Sequence, residues 1–323
     1  MHGIVFVVYP GFELLDVSGP TSVFNGANRA LTQRSKAPIY QITLVSAAGG
    51  SVASSSGVAV KTIPIIALSR GNIGTVLIVG GEREPLLAAV ADLALREAVP
   101  HLTEIAGRFG SVCTGGFVLA SLGLIDGHEV ATHWDSSEPL TRAFPRVRVN
   151  PDALYVIDGR VWTSAGVTTG IDMALAMVAH DLDTAIASEV AKRLVLYARR
   201  PGYQSQFSPL LQAQVKGASP FGDLIGWIQS NLDQPLEVPL LASRVGMTER
   251  TFHRKFAAAT GQTPARFVEI ARLDAARMLL SRGVSLKSVS AQVGLFPPAR
   301  LADAFERRFG ITPRLFRDMH SEL

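Results

Sequence analysis

The residues with the clearest chemical potential surround the single cysteine of the chain, Cys113, in the stretch RFGSVCTGGFVLASLG (108–123). A nucleophile on a sharp strand-to-helix turn needs small residues two positions before and after it, and Ser111 and Gly115 meet that requirement. A helix starting at the cysteine would favour the thiolate, because its free N–H groups and dipole stabilise negative charge. The same pattern fits a residue of a ligand pocket, and it fits an inert buried thiol, which is the commoner state of a lone cysteine.

Main-chain amides near this turn are candidates for binding an oxyanion or a ligand carboxylate. Thr114 and Gly115 would present amides at the start of the helix, and Gly80 and Gly81, which end the run TVLIVGG, would supply another. His128 and His133 are five residues apart, a spacing that neither a helix nor a strand aligns for a metal. The sequence therefore predicts no metal and no cofactor.

The elements that must position these residues alternate between strand-like and helix-like stretches over residues 1–199. β-Branched runs such as GIVFVV, ITLVSA, VAVKTI and TVLIVGG alternate with helical patterns such as LLAAVADLALREAV and GIDMALAMVAHDL. LYVIDGRVWTSAG predicts two strands around an Asp-Gly turn. We expect an α/β domain in which helices cover both faces of a mostly parallel sheet. The order of the strands does not follow from the pattern.

The rest of the chain differs in character. Residues 200–218 are polar and contain Pro, Gly, Gln and Ser, which predicts a linker, and residues 219–323 predict an all-helical domain. This domain contains an internal repeat: LASRVG (241–246) matches VSAQVG (289–294), and GQTPARF (261–267) matches GITPRLF (310–316). The offset is 48 residues before the central turn and 49 after it, so the second unit has one additional turn residue.

The first unit predicts a helix, a glycine turn and a second helix. Thr248 is expected to cap the second helix, with Thr251 at its third position, while Phe252 and Phe256 anchor it in the core. The opposite face then carries Arg250, His253, Arg254 and Lys255. Such a face suits pairing with base edges or phosphates.

The second unit repeats this design with different exposed residues. Leu301, Phe305 and Phe309 form the expected anchor, and the Pro297–Pro298 pair suits a helix start. The candidate contacts are Arg300, Arg307 and Arg308. Asp303 is unfavourable near a phosphate.

The region between the units predicts a rigid spacer. PARFVEIARLDAARMLLS (264–281) is an amphipathic helix of about 27 Å, which is near the ~34 Å between successive major grooves. Residues 1–217 carry 17 Lys/Arg and 17 Asp/Glu, whereas residues 218–323 carry 14 and 10, so the net charge of +4 lies in the last third. An acidic partner such as DNA follows, and a generic helical bundle with solvated arginines is the alternative.

Composition excludes several other classes. No apolar run approaches the ~20 residues of a membrane span, and MHGIVFVVYPGFELLD lacks the basic region of a signal peptide. The single cysteine excludes an internal disulfide framework. These features predict a cytoplasmic protein without a membrane partner.

On these residues, the last 100 or so positions resemble the AraC-type DNA-binding domain, in which GxTPxxF typically follows each recognition helix. The resemblance implies that Arg250, His253 and Arg254 contact bases or phosphates. In the second unit this chain has Phe296, Pro297 and Pro298 where the family has polar residues, and Asp303 where Arg is common. Arg300 is the best candidate contact there.

Residues 1–190 resemble the PfpI/ThiJ superfamily, which has the flavodoxin-like fold of class I glutamine amidotransferases, on YPGFELLDVSGP, LIVGG, SVCTGGFVLASLGLIDG, ATHW and VWTSAGVTTGIDMAL. The resemblance implies that Asp16, or instead Glu13, is the acid paired with the cysteine. It also places His133 beside the cysteine and Ser164 at the pocket rim. A helix cap at Asp16 and a backbone-bonded His133 are the alternatives.

Together the two resemblances, in this order, are those of the GlxA-type branch of AraC-family regulators. They imply a homodimeric transcriptional regulator, expected to be an activator, with double-stranded DNA, RNA polymerase and a small metabolite as partners. The expected ligand-binding residues are Asp16, Gly80, Gly81, Cys113, Thr114, Gly115, His133 and Ser164. A cysteine-dependent hydrolase or isonitrile-hydratase-like enzyme with a fused DNA-binding domain is one alternative. A thiol redox sensor, for which the chain lacks a resolving cysteine, is the other.

Overall fold

β-Branched and aliphatic runs of the first 164 residues form one central sheet in the computed structural model. Its strands are β1 (His2–Val7), β2 (Tyr40–Ser46), β3 (Gly50–Ala53), β4 (Ala59–Pro64), β5 (Ile73–Ile78) and β6 (Arg108–Val112), then β9 (Tyr155–Asp158) and β10 (Val161–Ser164). A separate parallel pair consists of β7 (Glu129–Val130) and β8 (Arg148–Val149). Over the described residues the spatial order is β3-β4-β2-β1-β5-β6-β10-β9. Pairing is parallel from β4 through β10, and only the edge strands β3 and β9 run antiparallel. The expected mostly parallel sheet is confirmed.

Helices pack against the sheet and bury its central strands. They are α1 (Leu14–Gln33), α2 (Arg83–Ala91), α3 (Leu93–Ile105), α4 (Gly116–Ser121), α5 (Ser137–Ala143), α6 (Thr169–Asp181) and α7 (Thr184–Arg193). Every residue of β6 and β10 is buried, so both faces of these strands must be covered by apolar or hydrogen-bonded groups. Helices α1, α6 and α7 contact one another, and α2 contacts α3 and α4.

Parallel register brings four connections to one edge of the sheet. The carboxyl ends of β1, β5, β6 and β10 are adjacent, and they lead into Asp16, Gly80, Cys113 and Val167 respectively. In open α/β sheets this edge is where ligands bind. The sheet therefore gathers the candidate residues that lie far apart in the sequence.

The helical part of the chain repeats its own geometry. Its helices are α8 (Gly222–Ser230), α9 (Val238–Arg244), α10 (Glu249–Thr260), α11 (Pro264–Ser281), α12 (Leu286–Gln292), α13 (Pro298–Phe309) and α14 (Pro313–Ser321). Helices α9 and α12 have seven residues each, and α10 and α13 have 12 each. The turn before α10 spans 245–248 and the turn before α13 spans 293–297, so the additional residue is where the repeat offset predicts it. The spacer helix predicted over 264–281 is confirmed as α11.

The structure describes residues 1–68, 71, 73–196, 200, 202, 206, 221–260, 262–309 and 311–321. Two units are separable, Met1–Gln206 and Phe207–Leu323. Most of the linker predicted over 200–218 and both glycines that begin the repeated GxTP motifs, Gly261 and Gly310, lie outside the described residues. Within those residues, no helix is both long and apolar enough to cross a membrane, and no cluster of His, Cys, Asp and Glu has the makings of a metal site.

Candidate functional site

Cys113 lies on a tight turn between β6 and α4, as the small residues around it predict. The turn is a short 3-10 segment, Cys113–Gly115, and Cys113 has a φ of 58°, in the left-handed region that side chains rarely adopt. Glycines make this conformation fit. A Cβ on Gly80 would lie 2.6 Å from the Cys113 Cβ, and one on Gly166 would overlap the cysteine side chain itself. The contribution of Gly166 is not evident from local sequence, because it follows a strand 50 residues later.

Asp16 joins two of the loops at this edge. Its Oδ2 accepts the Gly80 amide at 3.0 Å and its Oδ1 accepts the Val167 amide at 2.8 Å, while the side chain is fully buried. Val167 is β-branched and has a φ of 52°, a strained conformation that must be held by its surroundings. The alternative that Asp16 caps a helix near Ser18 is wrong: α1 begins at Leu14, and the Glu13 carboxylate accepts the Leu15 amide at 3.2 Å.

The two ionisable groups of the site are both held toward their neutral forms. Burial raises the pKa of Asp16 to about 7; the nearby charge of Glu13 acts in the same direction, and the two amide hydrogen bonds oppose it. Burial also raises the pKa of the Cys113 thiol far above its ordinary value, and the Asp16 carboxylate adds to this effect. Of the alternatives that the sequence leaves open for Cys113, burial favours a neutral thiol over a helix-stabilised thiolate, because α4 has only six residues and desolvation dominates.

Of the four expected amide donors, those of Gly80, Gly81 and Thr114 are engaged within the chain. The Gly81 amide donates to the Thr114 hydroxyl at 2.9 Å, and that hydroxyl lies 2.9 Å from the Gly81 carbonyl oxygen, to which it donates. The Gly80 amide is bonded to Asp16. The Thr114 amide interacts with the cysteine sulfur. Gly115 is placed against the Ile78 carbonyl, where no side chain fits. These residues form the wall and floor of the site rather than a free oxyanion hole.

His133 and Ser164 belong to two segments that contact the turn at Cys113, which we call the elbow. His133 is half-buried, its ring centroid is 5.3 Å from that of Trp134, and burial lowers its pKa, so the ring is neutral at pH 7. Its neighbour Thr132 donates its hydroxyl to the Cys113 carbonyl at 3.0 Å. Ser164 pairs in register with Val112 and is fully buried, with no hydrogen-bond partner for its hydroxyl. It lies in the sheet beside the strand that leads into Cys113, and its place at the pocket rim stays a prediction.

The first helix-turn-helix of the C-terminal unit has the predicted geometry. Thr248 accepts the Thr251 amide at 3.4 Å through its hydroxyl and the Phe252 amide at 2.8 Å through its carbonyl. Phe252 and Phe256 are fully buried, with ring centroids 5.2 Å apart, and both contact Phe221. The exposed residues of the turn and helix include Thr248, Arg250, His253, Arg254 and Lys255, and Thr251 is half-buried. The helix therefore presents a basic face that is held from behind by aromatic rings.

The second helix-turn-helix has the same core and a different surface. Leu301 and Phe305 are fully buried, and Arg300 is exposed. Arg307 is exposed but is bonded to Glu269 of the spacer helix at 3.0 Å. Arg308, which the sequence predicts as a contact and which would have to be exposed for that role, is half-buried, with its guanidinium 6.0 Å from the centre of the Phe309 ring. Phe296, at 63% exposure, is the prominent side chain of the turn.

Comparisons with known proteins agree with both halves of this description. The DJ-1/PfpI family matches residues 2–180, and a helix-turn-helix domain family matches residues 241–319. The HTH-type transcriptional regulator CdhR of Pseudomonas aeruginosa is 30% identical over 309 residues, covering 95% of this chain and 89% of that protein. The HTH-type transcriptional regulator GlxA of Rhizobium meliloti is 28% identical over 323 residues, covering 97% and 95%.

A solved structure supports the fold of the first unit. A THiJ/PfpI family protein from Pseudomonas syringae is 25% identical, with a TM-score of 0.55, and the match covers 70% of this chain and 86% of that one. An α/β unit with a cysteine elbow is thus followed by two helix-turn-helix motifs, and relatives share this order over almost their whole length. The chain belongs to the AraC-type helix-turn-helix transcriptional regulators that carry an N-terminal DJ-1/PfpI domain.

Proposed function

We propose that this protein regulates transcription by binding specific double-stranded DNA through α10, under the control of a small metabolite bound at the elbow of the α/β unit. The observation that carries the proposal is the basic face of α10. Arg250, Arg254 and Lys255 are exposed on a helix whose opposite side is anchored by two buried phenylalanines. A recognition helix needs this combination, because its base contacts require a fixed backbone.

The two recognition helices, α10 and α13, contribute unequally to DNA binding in this proposal. Arg250, His253, Arg254 and Lys255 provide direct base and phosphate contacts from α10, with Thr248 and Thr251 at its start. In the second unit Arg300 is the main contact, because Arg307 is bonded to Glu269 and Arg308 is half-buried. Affinity for the operator then depends mainly on the first unit.

The effector is proposed to bind beside Cys113, within reach of Asp16, Thr114 and His133. The edge of the sheet where these residues meet is the usual ligand position of such folds. We further propose that the protein acts as a cytoplasmic homodimer and activates transcription through RNA polymerase. Its resemblance to GlxA-type regulators supports this part of the proposal. A cysteine-dependent enzyme is not favoured, since the thiol is buried and neutral and both oxygens of the buried acid accept main-chain amides.

The DNA-binding proposal is tested on an operator selected from a random pool of duplexes with the full chain. We expect Arg254→Ala to weaken binding to that operator about tenfold or more, as one good base contact contributes ~1–3 kcal/mol. Fluorescence anisotropy at one fixed salt concentration measures the change in Kd.

The matched control is Arg142→Ala, which removes an equal charge from the surface of the α/β unit, where Arg142 pairs with Glu138. This variant should bind like the wild type. An Arg254→Ala protein with unaltered affinity would contradict the assignment of α10 as the recognition helix.

A further inference from the structure

Where the chain leaves the α/β unit, it is hydrogen-bonded to residues close to the elbow site. Among the residues of this stretch that the structure describes, the attachment is made by Arg200, Gly202 and Gln206, and we call these three residues the exit segment. Arg200 bonds to Asp172 of α6 through its amide at 3.0 Å, its Nε at 2.9 Å and its Nη2 at 2.6 Å. Asp172 is buried, so this carboxylate depends on the arginine for its charge partner.

The Arg200 contact continues to the acid of the site. Arg200 also donates from Nη2 to the Thr168 hydroxyl at 2.9 Å. Thr168 directly follows Val167, whose amide is held by Asp16 in a strained conformation. One side of the exit segment is therefore separated from Asp16 by two adjacent residues.

Gln206 attaches the segment to the other wall. Its side-chain amide donates to the carbonyls of Thr132 at 2.9 Å, Ala153 at 3.0 Å and Pro151 at 3.3 Å. The Thr132 hydroxyl in turn donates to the Cys113 carbonyl. Thr132 thus bonds to the elbow cysteine through its side chain and to the exit segment through its main chain.

Gly202 closes the attachment between these two points. Its carbonyl accepts the amides of Leu154 at 2.6 Å and Tyr155 at 3.2 Å, and a Cβ at this position would overlap the Tyr155 carbonyl. Gly202 accordingly lies against the start of β9, in a position that leaves no room for a side chain.

We propose that the exit segment is an internal docking contact that transmits the state of the elbow site to the DNA-binding unit, with Arg200 and Gln206 as its positioning residues. The inference rests on the proposed function. A molecule that displaces Thr132 or the Val167–Thr168 loop must also alter the docking of the exit segment, since the same groups hold both. Only such a difference in interaction between two states can shift their populations.

The docking is tested through the single thiol of the chain. Cys113 is 7% exposed, so its reaction with the aromatic disulfide DTNB reports opening of the elbow. We expect Gln206→Ala to accelerate this reaction at least about fivefold, the effect of losing roughly 1 kcal/mol of hydrogen bonding from the closed state. Arg200→Ala should act in the same direction.

Arg160→Ala is the matched control. Arg160 also donates from its side chain to several main-chain carbonyls, those of Thr103, Glu104, Ala106 and Gly107, and it leads into β10 at the end opposite Cys113. Urea unfolding is measured on all variants so that rates are compared at known stability. Equal acceleration in Arg160→Ala and Gln206→Ala would overturn the inference, because general loosening would then explain both.

Transmission is tested by a double-mutant cycle on the selected operator. We expect Asp16→Asn to change the operator Kd at least threefold in the wild-type background and less than 1.5-fold in the Gln206→Ala background, because the contact that carries the change is gone. If Asp16→Asn fails to fold, Cys113→Ser replaces it. Effects that simply multiply, or an operator affinity indifferent to the elbow substitution in both backgrounds, would overturn the proposal. Absence of DNA binding by the wild type would instead overturn the proposed function, while the labelling rates still report on the docking.

Discussion

The surroundings of Asp16 favour the protonated form of its carboxyl group. Burial and the nearby Glu13 disfavour the charged form. Among the described contacts, two main-chain amides stabilise the charge and no cation does. A carboxyl group with a pKa of about 7 changes charge within the physiological range. The elbow site therefore carries a group whose charge is set by its surroundings and is sensitive to pH near neutrality.

This charge predicts a dependence of stability on pH. The pKa of Asp16 is 3.8 in the unfolded chain and about 7 in the folded chain, so the folded state binds more protons between these values. Stability contributed by the protonated form is present below pH 4 and is lost as pH rises to 7. The free energy of unfolding of wild type relative to Asp16→Asn should therefore fall by up to about 4 kcal/mol across this window. Urea unfolding of both proteins at several pH values measures it, and parallel pH profiles would contradict it.

Residue types and local spacing were sufficient to predict the elbow, because a cysteine between small residues can be recognised within five positions. The partners of Asp16 could not be predicted in that way. Val167 is 151 residues from Asp16 in the chain, and its unusual φ follows from the loop that joins β10 to α6. The sequence could not decide between a thiolate and a buried neutral thiol for a related reason, since burial is a property of the whole site and outweighs a short helix.

The helix-turn-helix elements differ at their two equivalent glycines. Gly246 and Gly294 each have a φ of 63° and follow the first helix of their unit. Open space surrounds Gly246, whereas a Cβ on Gly294 would overlap the Leu232 carbonyl and lie 2.7 Å from the Arg272 guanidinium. Both positions require glycine for backbone conformation, and the second requires it also for space.

We expect Gly246→Ala to reduce the free energy of unfolding by about 1–2 kcal/mol, the cost of a left-handed residue with a side chain. Gly294→Ala should cost clearly more, since the obstacle is a main-chain carbonyl that also accepts the Arg272 Nε–H at 3.1 Å. Thermal unfolding of the two variants beside the wild type gives the comparison. Equal losses would show that the close approach at Gly294 is relieved at no cost.

Local signals explain why these helices could be predicted closely. Thr263 caps α11 with its hydroxyl and Pro264 occupies the first turn, so the start of the spacer is encoded in two adjacent residues. The cations of α13 were harder to predict. Arg307 pairs with Glu269 on a different helix, and no pattern within α13 reveals that partner.

At the scale of the whole molecule, the proposed function assigns effector and operator to separate units, so each must change the affinity for the other equally. If a metabolite raises operator affinity by some factor, saturating operator must raise affinity for that metabolite by the same factor. We expect a factor of about 5–150, the usual range of such coupling. Titration of the metabolite by calorimetry with and without operator, and of operator with and without metabolite, gives the two factors independently. A discrepancy between them would contradict a two-site regulator at equilibrium.

The distribution of charge between the two parts of the chain could be predicted from the sequence, whereas the order of the strands could not. The excess of four positive charges in residues 218–323 is a matter of counting. The sheet order, with β1 between β2 and β5, depends on crossovers that strand patterns do not encode. That order nevertheless places Asp16, Gly80 and Cys113 at one edge, because β1, β5 and β6 are consecutive neighbours.

The two units of the C-terminal repeat have helices of identical length but unlike exposed faces. The two units therefore share the positions that pack inward and differ in the residues that the proposed function assigns to DNA contact. Two identical helix-turn-helix units would be expected to bind a tandem pair of identical base sequences. The operator of one chain of this protein should instead consist of two dissimilar halves, of which the one facing Arg250 and Arg254 tolerates substitution least.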